Sequence, residues 1–267
     1  MNPPRALIAG CGDIGGRLAA RLLDEGWFVH GLRRDTRKLG AGVLPVAGDL
    51  QAASMPAEWP AQPLDYLVYC AAASTHDEAG YRAAYIEGLQ HALDWLKQAG
   101  QSPRRILFVS SSSVYGQSTG EWVDETSPVE PTGFSGQLML QAEQVAHASG
   151  LPATVVRLTG IYGPGRERFV SQVREGYRVA RQPPLYGNRI HADDAAGLLA
   201  FLLQADLAGQ PLQPCYIGVD DAPAPLDEVV DWLRQRLGVT RWSDTQSVRR
   251  TGSKRCSNAG ARALGWA

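Results

Sequence analysis

Residues 5–16 read RALIAGCGDIGG, and the reading of this stretch decides the fold. The apolar run Ala6-Leu7-Ile8-Ala9 leads into Gly10, Gly12 and Gly15, after which Ile14, Leu18, Leu22 and Leu23 recur at helical spacing. The pattern predicts a buried strand, a tight glycine turn and an opening helix. Each glycine has a physical task at this spacing. The first permits the sharp turn, the second lets the backbone approach a pyrophosphate, and the third lets helix and strand pack closely. Free N–H groups and the dipole at the helix start then favour phosphate. The expectation is a dinucleotide site; the alternative is a tight strand-to-helix turn with no ligand.

Outward from that loop, short apolar runs alternate with helical spacing. Strands are expected at 26–34 (GWFVHGLRR), 43–49 (VLPVAGD), 65–70 (DYLVYC), 105–110 (RILFVS), 153–158 and 213–219. Helices are expected at 78–98, with Tyr81, Tyr85, Leu89, Leu93 and Leu96 on one face, at about 166–180 and at 226–237. Alternation of this kind predicts a Rossmann-type α/β fold, a doubly wound parallel sheet with ligands at the strands' carboxyl ends. Residues 1–160 should form the NAD(P)-binding domain, with the helix and strand at 135–158 part of it. Residues 161–267 should be mostly a smaller C-terminal substrate lobe, with segments returning to the core.

Composition narrows the function. The 267 residues carry a net charge of −1, which gives no electrostatic case for nucleic acid or an anionic membrane. The longest apolar run, 195–203, is far short of the ~18 residues of a membrane span. The first strand starts by residue 5, which leaves no room for a cleavable leader within this stretch. Cys11, Cys70, Cys215 and Cys256 stand far apart without a C-x-x-C pair and read as buried free thiols of a cytoplasmic protein. No cluster has metal-ligand spacing.

At the end of the second strand, where an acid usually meets the adenosine ribose, stand Arg33 and Arg34, with Arg37 and Lys38 beyond. A guanidinium grips a 2′-phosphate that an acid would repel. NADP is therefore expected over NAD, with Asp35 keeping NAD open and a solvated basic loop as the bland alternative. Asp49 and Leu50 fall where an adenine would lie. Ala71 and Ala72 are small enough to let a backbone approach a ligand. The expected cofactor-binding set is Gly10, Gly12, Asp13, Ile14, Gly15, Arg33, Arg34, Asp49, Leu50, Ala71 and Ala72.

The stretches GCGDIGG (10–16), GDL (48–50), CAAA (70–73), SSSSVYG (110–116), DETSPVEPT (124–132), RLTGIYGPGR (157–166) and RIHADDAAG (189–197) run in order over most of the chain. Together they resemble the extended short-chain dehydrogenase/reductase superfamily, the NAD-dependent epimerase/dehydratase family of nucleotide-sugar enzymes. The resemblance implies four polar groups: an asparagine, a serine or threonine, and a Y-x-x-x-K pair. In such enzymes the tyrosine exchanges a proton with the substrate hydroxyl, the lysine lowers its pKa, and the serine orients the reacting oxygen. Aligned on the family, Ser111 keeps the serine. Ser135 stands at the tyrosine position, Met139 at the lysine position, and the asparagine position falls near Tyr85. No Y-x-x-x-K occurs anywhere in the chain.

The chain thus resembles the atypical subgroup that keeps the glycine motif and lacks the usual active site. Tyr85 and Tyr115 are the candidates to supply a phenol near the nicotinamide, each with a packed aromatic as its alternative. His191 reads as a strand-end structural residue, and Asp124-Glu125 as part of a polar loop lining the cleft. The arginines at 166, 168, 174, 178, 181 and 189 would, by resemblance, meet a nucleotide diphosphate; their alternative is a solvated face. The expectation is an NADP-dependent oxidoreductase or epimerase on a nucleotide-sugar-like small molecule. The alternative is a catalytically inactive NADP(H)-binding sensor or partner-binding module. The resemblance also implies a homodimer.

Overall fold

The computed structural model describes residues 2–243 and 252–267. The first half contains β1 (Arg5–Ala9), α1 (Asp13–Asp24), β2 (Phe28–Arg33), β3 (Leu44–Ala47), β4 (Tyr66–Tyr69) and α2 (Glu78–Tyr81). A π-helical segment, Arg82–Glu87, joins α2 to α3 (Gly88–Gln98), and β5 (Arg105–Ser111), β6 (Glu121–Val123) and α4 (Phe134–His147) follow. Next come β7 (Ala153–Leu158), β8 (Gly160–Tyr162), α5 (Arg168–Arg174), β9 (Tyr186–Gly187), β10 (Arg189–His191) and α6 (Ala192–Leu207). The chain closes with β11 (Cys215–Gly218), β12 (Ala224–Pro225), α7 (Leu226–Leu237), β13 (Lys254–Cys256) and α8 (Ala259–Leu264).

Seven strands form one sheet in the order β11-β7-β5-β4-β1-β2-β3, every neighbouring pair parallel. Strand side chains alternate between faces, so each central strand feeds two cores. Ala6 and Ile8 of β1, Tyr66 and Val68 of β4, and Val156 of β7 meet Leu18 and Leu22 of α1 and the leucines of α6. Leu7 and Ala9, Leu67 and Tyr69, and Val155 face α3 and α4 on the other side. Covering both faces explains why Ala6–Ala9 of β1 and Tyr66–Tyr69 of β4 read as unbroken apolar runs. The chain leaves β1 toward β2 and β3, then returns to β4 on β1's other side. That reversal opens a crevice outside the carboxyl ends of β1 and β4, the usual ligand position in such sheets.

The part after residue 160 is divided. α6 packs on α1, and β11 extends the central sheet beside β7. Outside the sheet lie the pairs β8–β10 and β9–β12, with α5 against α7. The helix expected to reach about residue 180 ends at Arg174 instead. Gly176 turns the chain at φ +92°, and a Cβ there would lie 2.6 Å from the Ser243 backbone nitrogen.

Candidate active site

A cleft of about 600 Å³ opens at the strand ends, lined by the glycine loop, the ends of β2, β3, β4 and β5, and α4. Its floor is set by the glycines. Gly10 takes φ +88°, and a Cβ there would sit 2.5 Å from the Ala71 Cα; only glycine fits. At Gly15 a Cβ would press to 2.9 Å on both the Gly10 carbonyl and Ile8, so this position is what lets α1 close on β1. Gly12 differs: a Cβ there would meet nothing nearer than the Gly10 carbonyl at 3.9 Å, because that side faces the cleft. Among the described residues no side chain caps the N-terminus of α1. The Gly15 N–H faces the Cys70 sulfur, which leaves the N–H groups of Asp13 and Ile14 in the first turn to meet an anion. A cradle that a side chain at Gly12 would fill, beside an uncapped helix start, fits a dinucleotide's pyrophosphate.

The remaining expected cofactor residues, Asp13, Ile14, Arg33, Arg34, Asp49, Leu50, Ala71 and Ala72, line the same cleft, although Gly15 lies under it. Their roles divide. Arg33 donates to the carbonyls of Cys11 (3.0 Å) and Lys38 (3.2 Å), binding the end of β2 to the glycine loop. Arg34 is exposed at the cleft and makes no hydrogen bond among the described residues. Asp35 is engaged by the Arg37 guanidinium (2.8 Å), whose hydrogen bond holds its carboxyl below the usual range. Asp49 accepts from the Gln51 N–H at 3.0 Å, and the Leu50 carbonyl meets His91 Nδ1 at 2.8 Å. At the helix start, partial burial opposes the charge on Asp13, but Arg17 and Arg166 outweigh it and hold the carboxyl low.

Toward the carboxyl ends of β4, β5 and β7 the cleft is lined by Tyr85, Ser110, Ser111, Met139, Leu158 and Thr159. The hydroxyls are not equivalent. Ser110 donates to Glu143 (2.6 Å) and Thr159 to the Gly218 carbonyl (3.0 Å), so both protons are spent inside the protein. Ser111 Oγ accepts from the Ser113 N–H at 3.1 Å, and Tyr85 Oη accepts from the Ala73 N–H at 3.4 Å. Among the described residues neither hydroxyl donates its own proton, and both residues line the cleft. Burial pushes the Tyr85 phenol above its ordinary value, so it is a neutral donor at neutral pH.

Tyr69, reaching across from β4, places Tyr85 through its neighbours Ala84 and Gly88. A Cβ at Gly88 would fall 2.5 Å from Tyr69 Oη; its absence lets that buried phenol donate to the Ala84 carbonyl. The π-helical turn containing Ala84 and Tyr85 sits on this contact. Helical spacing put Tyr85 on the packed face, and the wider turn brings it to the cleft. Its ring rests against Tyr81, which also touches Phe134 (centroids 5.2 and 5.4 Å).

Tyr115 is corrected. The short turn Ser112–Val114 carries it behind the wall, where its ring is 3% exposed and does not line the cleft. Its hydroxyl donates to the Asp124 carbonyl (2.8 Å) and accepts from Arg157 Nη1 (2.8 Å), so the packed aromatic is the correct reading. Asp124 and Glu125 do not line the cleft either. Asp124 closes a local turn through Thr126 and Ser127, and Glu125 accepts the Ile217 N–H at 2.9 Å. Ser135 is half-buried outside the cleft, whereas Met139 lies in its wall without a charge. Of the six arginines expected near a diphosphate, Arg166 alone lines this cleft. Arg181, for one, pairs with Asp231 (2.6 Å) and Asp227 (3.6 Å) elsewhere. His191 caps α6 through the Asp193 N–H (3.3 Å), as a strand-end residue should.

No group of three or more metal-ligating side chains occurs among the described residues. Nor is any described helix long and apolar enough to cross a membrane. All four cysteines are free, and burial raises the thiols at 11 and 256 to about 11 and those at 70 and 215 to about 12, which makes them poor nucleophiles.

A doubly wound sheet with a glycine cradle at its switch point defines a Rossmann-type dinucleotide-binding protein. The chain belongs to the NAD dependent epimerase/dehydratase family, whose sequence profile matches residues 6–218. A candidate NAD-dependent epimerase/dehydratase from Methylobacillus flagellatus is 34% identical, with a TM-score of 0.80 over 100% of this chain and 93% of that one. Protein YeeZ of Escherichia coli K12 is 35% identical over 136 residues, 49% of this chain and 46% of that protein. The match therefore spans less than half the length of that curated relative. Thermus thermophilus UDP-glucose 4-epimerase, solved in complex with NAD, shares the fold at 19% identity, with a TM-score of 0.78 over 98% and 93% of the two chains.

Proposed function

We propose that this chain is an NADP(H)-dependent oxidoreductase or epimerase acting on a hydroxyl or carbonyl of a nucleotide-sugar-like molecule, with Tyr85 in place of the family's tyrosine. The observation that carries this reading is the pair of unspent hydroxyl protons, on Tyr85 and Ser111, at the strand ends of the cleft. The glycine cradle, the uncapped start of α1 and the small Ala71 and Ala72 would hold the dinucleotide. When bound, it supplies a hydride donor or acceptor. Ser111 orients the reacting oxygen and Tyr85 gives it a proton. Met139 provides no cation to draw the phenol toward phenolate, so Tyr85 acts as an acid in carbonyl reduction, its proton going to the oxygen as hydride would add to the carbon; in hydroxyl oxidation the proton would return to the tyrosine oxygen along the same path. Family membership supports the substrate class, and free thiols support a reducing, cytoplasmic setting. Pairing of two copies through the outer faces of α3 and α4 belongs to the same reading.

A panel of sugar nucleotides at millimolar concentration, followed by reduced-nicotinamide absorbance and by NMR of the sugar, is expected to reveal turnover. Tyr85→Phe should lower kcat about a hundredfold and leave dinucleotide affinity unchanged. Because burial raises the phenol, the alkaline limb of the wild-type rate should lie above pH ~10. A Tyr85→Phe enzyme with wild-type kcat would remove the tyrosine from the reaction.

The choice of NADP rests on Arg34, exposed at the end of β2, with Asp35 tied to Arg37. Arg34→Ala is expected to weaken NADPH binding roughly ten- to hundredfold, the worth of one or two charge-assisted bonds, while sparing NADH. Equal effects on both dinucleotides would assign the arginine to the solvated loop.

A further inference from the structure

The glycine loop carries an acid where the phosphates of a dinucleotide would lie. Asp13 is the first residue of α1, half-exposed, and its carboxylate lines the cleft beside Gly12. A carboxylate at that point repels a pyrophosphate unless it is neutralised. Arg17 Nε donates to Oδ1 at 2.8 Å, but Arg17 also serves Asp193 of α6 through Nη1. The second cation comes from the other side of the cleft: Arg166 Nε donates to Asp13 Oδ2 at 2.7 Å. With Asp13, Asp193, Arg17 and Arg166 counted together the cluster is neutral, and without Arg166 it carries one negative charge.

Arg166 is built to reach this position. It follows β8 in a turn with Gly163 at φ +132° and Gly165 at φ +82°, closed by the Arg166 N–H on the Gly163 carbonyl (3.0 Å). The His191 ring fills the space under Gly163, where a Cβ would fall 2.8 Å from Nε2. Arg166 uses Nε on Asp13, and its two terminal nitrogens make no hydrogen bond among the described residues. The bidentate end of the guanidinium is therefore unspent at the wall of the cleft.

We propose that Arg166 grips the dinucleotide's pyrophosphate from the second lobe, with Asp13 as the counter-ion that positions it. The proposal rests on the reading of this cleft as a dinucleotide site. In the complex two terminal N–H groups of Arg166 meet phosphate oxygens while Nε stays on Asp13, so the carboxylate's charge is offset where the phosphates lie. The loop after β8 is thereby tied to the cofactor.

The test is a double-mutant cycle read as NADPH affinity by fluorescence titration, with circular dichroism and Tm of each unliganded variant as folding controls. Arg166→Gln should weaken binding at least about tenfold, because it removes a cation and unmasks Asp13. Asp13→Asn alone should change it by no more than about threefold, since it removes repulsion and also frees Arg166. In the Arg166→Gln background, Asp13→Asn should recover about threefold or more of the lost affinity. Adenosine 2′-monophosphate, which lacks the pyrophosphate, should bind wild type and Arg166→Gln alike. Wild-type NADPH affinity in Arg166→Gln, no recovery in the double variant, or an equal loss for adenosine 2′-monophosphate would each overturn the proposal. A wild-type protein that fails to bind any dinucleotide would instead remove the reading on which it rests.

Discussion

Gly12→Leu is expected to fold as the wild type does and to lose NADPH affinity at least about a hundredfold, or roughly 2.7 kcal/mol. The two halves of this expectation come from the same geometry. A Cβ at Gly12 has open space on the protein side, with only the Gly10 carbonyl at 3.9 Å. The side chain then fills the cradle that the pyrophosphate needs. Gly10→Ala provides the contrast. There the added methyl meets Ala71 backbone at 2.5 and 2.6 Å in a left-handed conformation, so folding itself should suffer. Thermal melting beside NADPH titration separates the two. Undiminished binding by Gly12→Leu would place the pyrophosphate elsewhere.

The second large effect lies behind the cleft wall. Arg157 of β7 and Glu143 of α4 are 7% and 3% exposed and form a two-pronged ion pair, Nε to Oε1 at 3.0 Å and Nη2 to Oε2 at 2.8 Å. Ser110 donates to the same carboxylate, and Arg157 also donates to Tyr115. Arg157→Met leaves Glu143 with one hydroxyl and no cation in an interior site. Breaking one side of such a pair costs about 3–5 kcal/mol, which for a chain of this size lowers Tm by roughly 5–10 °C. The double variant Glu143→Leu/Arg157→Met should regain most of that loss, because the pair contributes little beyond offsetting its own desolvation. Chemical denaturation of the two variants is the check. A loss below about 1 kcal/mol in Arg157→Met would mean that water or another group reaches Glu143.

Sequence alone made the sheet legible because strands covered on both faces need apolar centres, and Ala6–Ala9 of β1, Tyr66–Tyr69 of β4 and Ile106–Val109 of β5 supply them. The helix at Leu226–Leu237 was readable to the residue, since its apolar spacing is bounded by Pro225 and Gly238. The glycine loop was readable because its requirements are local. What escaped was set by contacts between distant residues. The π-helical turn depends on Tyr69 reaching the Ala84 carbonyl past Gly88, which no periodicity in 78–98 encodes. Tyr115 followed Ser111 at the spacing of a site residue, yet Arg157, 42 positions away, drew it into the interior. Asp13 and Arg166 are 153 positions apart, and neither looks unusual by itself. The absence of the tyrosine–lysine pair was plain from the start; that Tyr85 keeps a free proton in the cleft that Ser111 also lines required coordinates.

Everything proposed for the site depends on the cleft at the β1–β4 crevice holding a dinucleotide. The most direct test is a titration of the wild-type protein with NADPH, read by the reduced nicotinamide's fluorescence and by calorimetry, with NADH in parallel. Saturable one-to-one binding at micromolar or lower Kd, tighter for NADPH and lost in Gly12→Leu, is the expected result. Binding of neither dinucleotide, or binding that Gly12→Leu leaves intact, would contradict it.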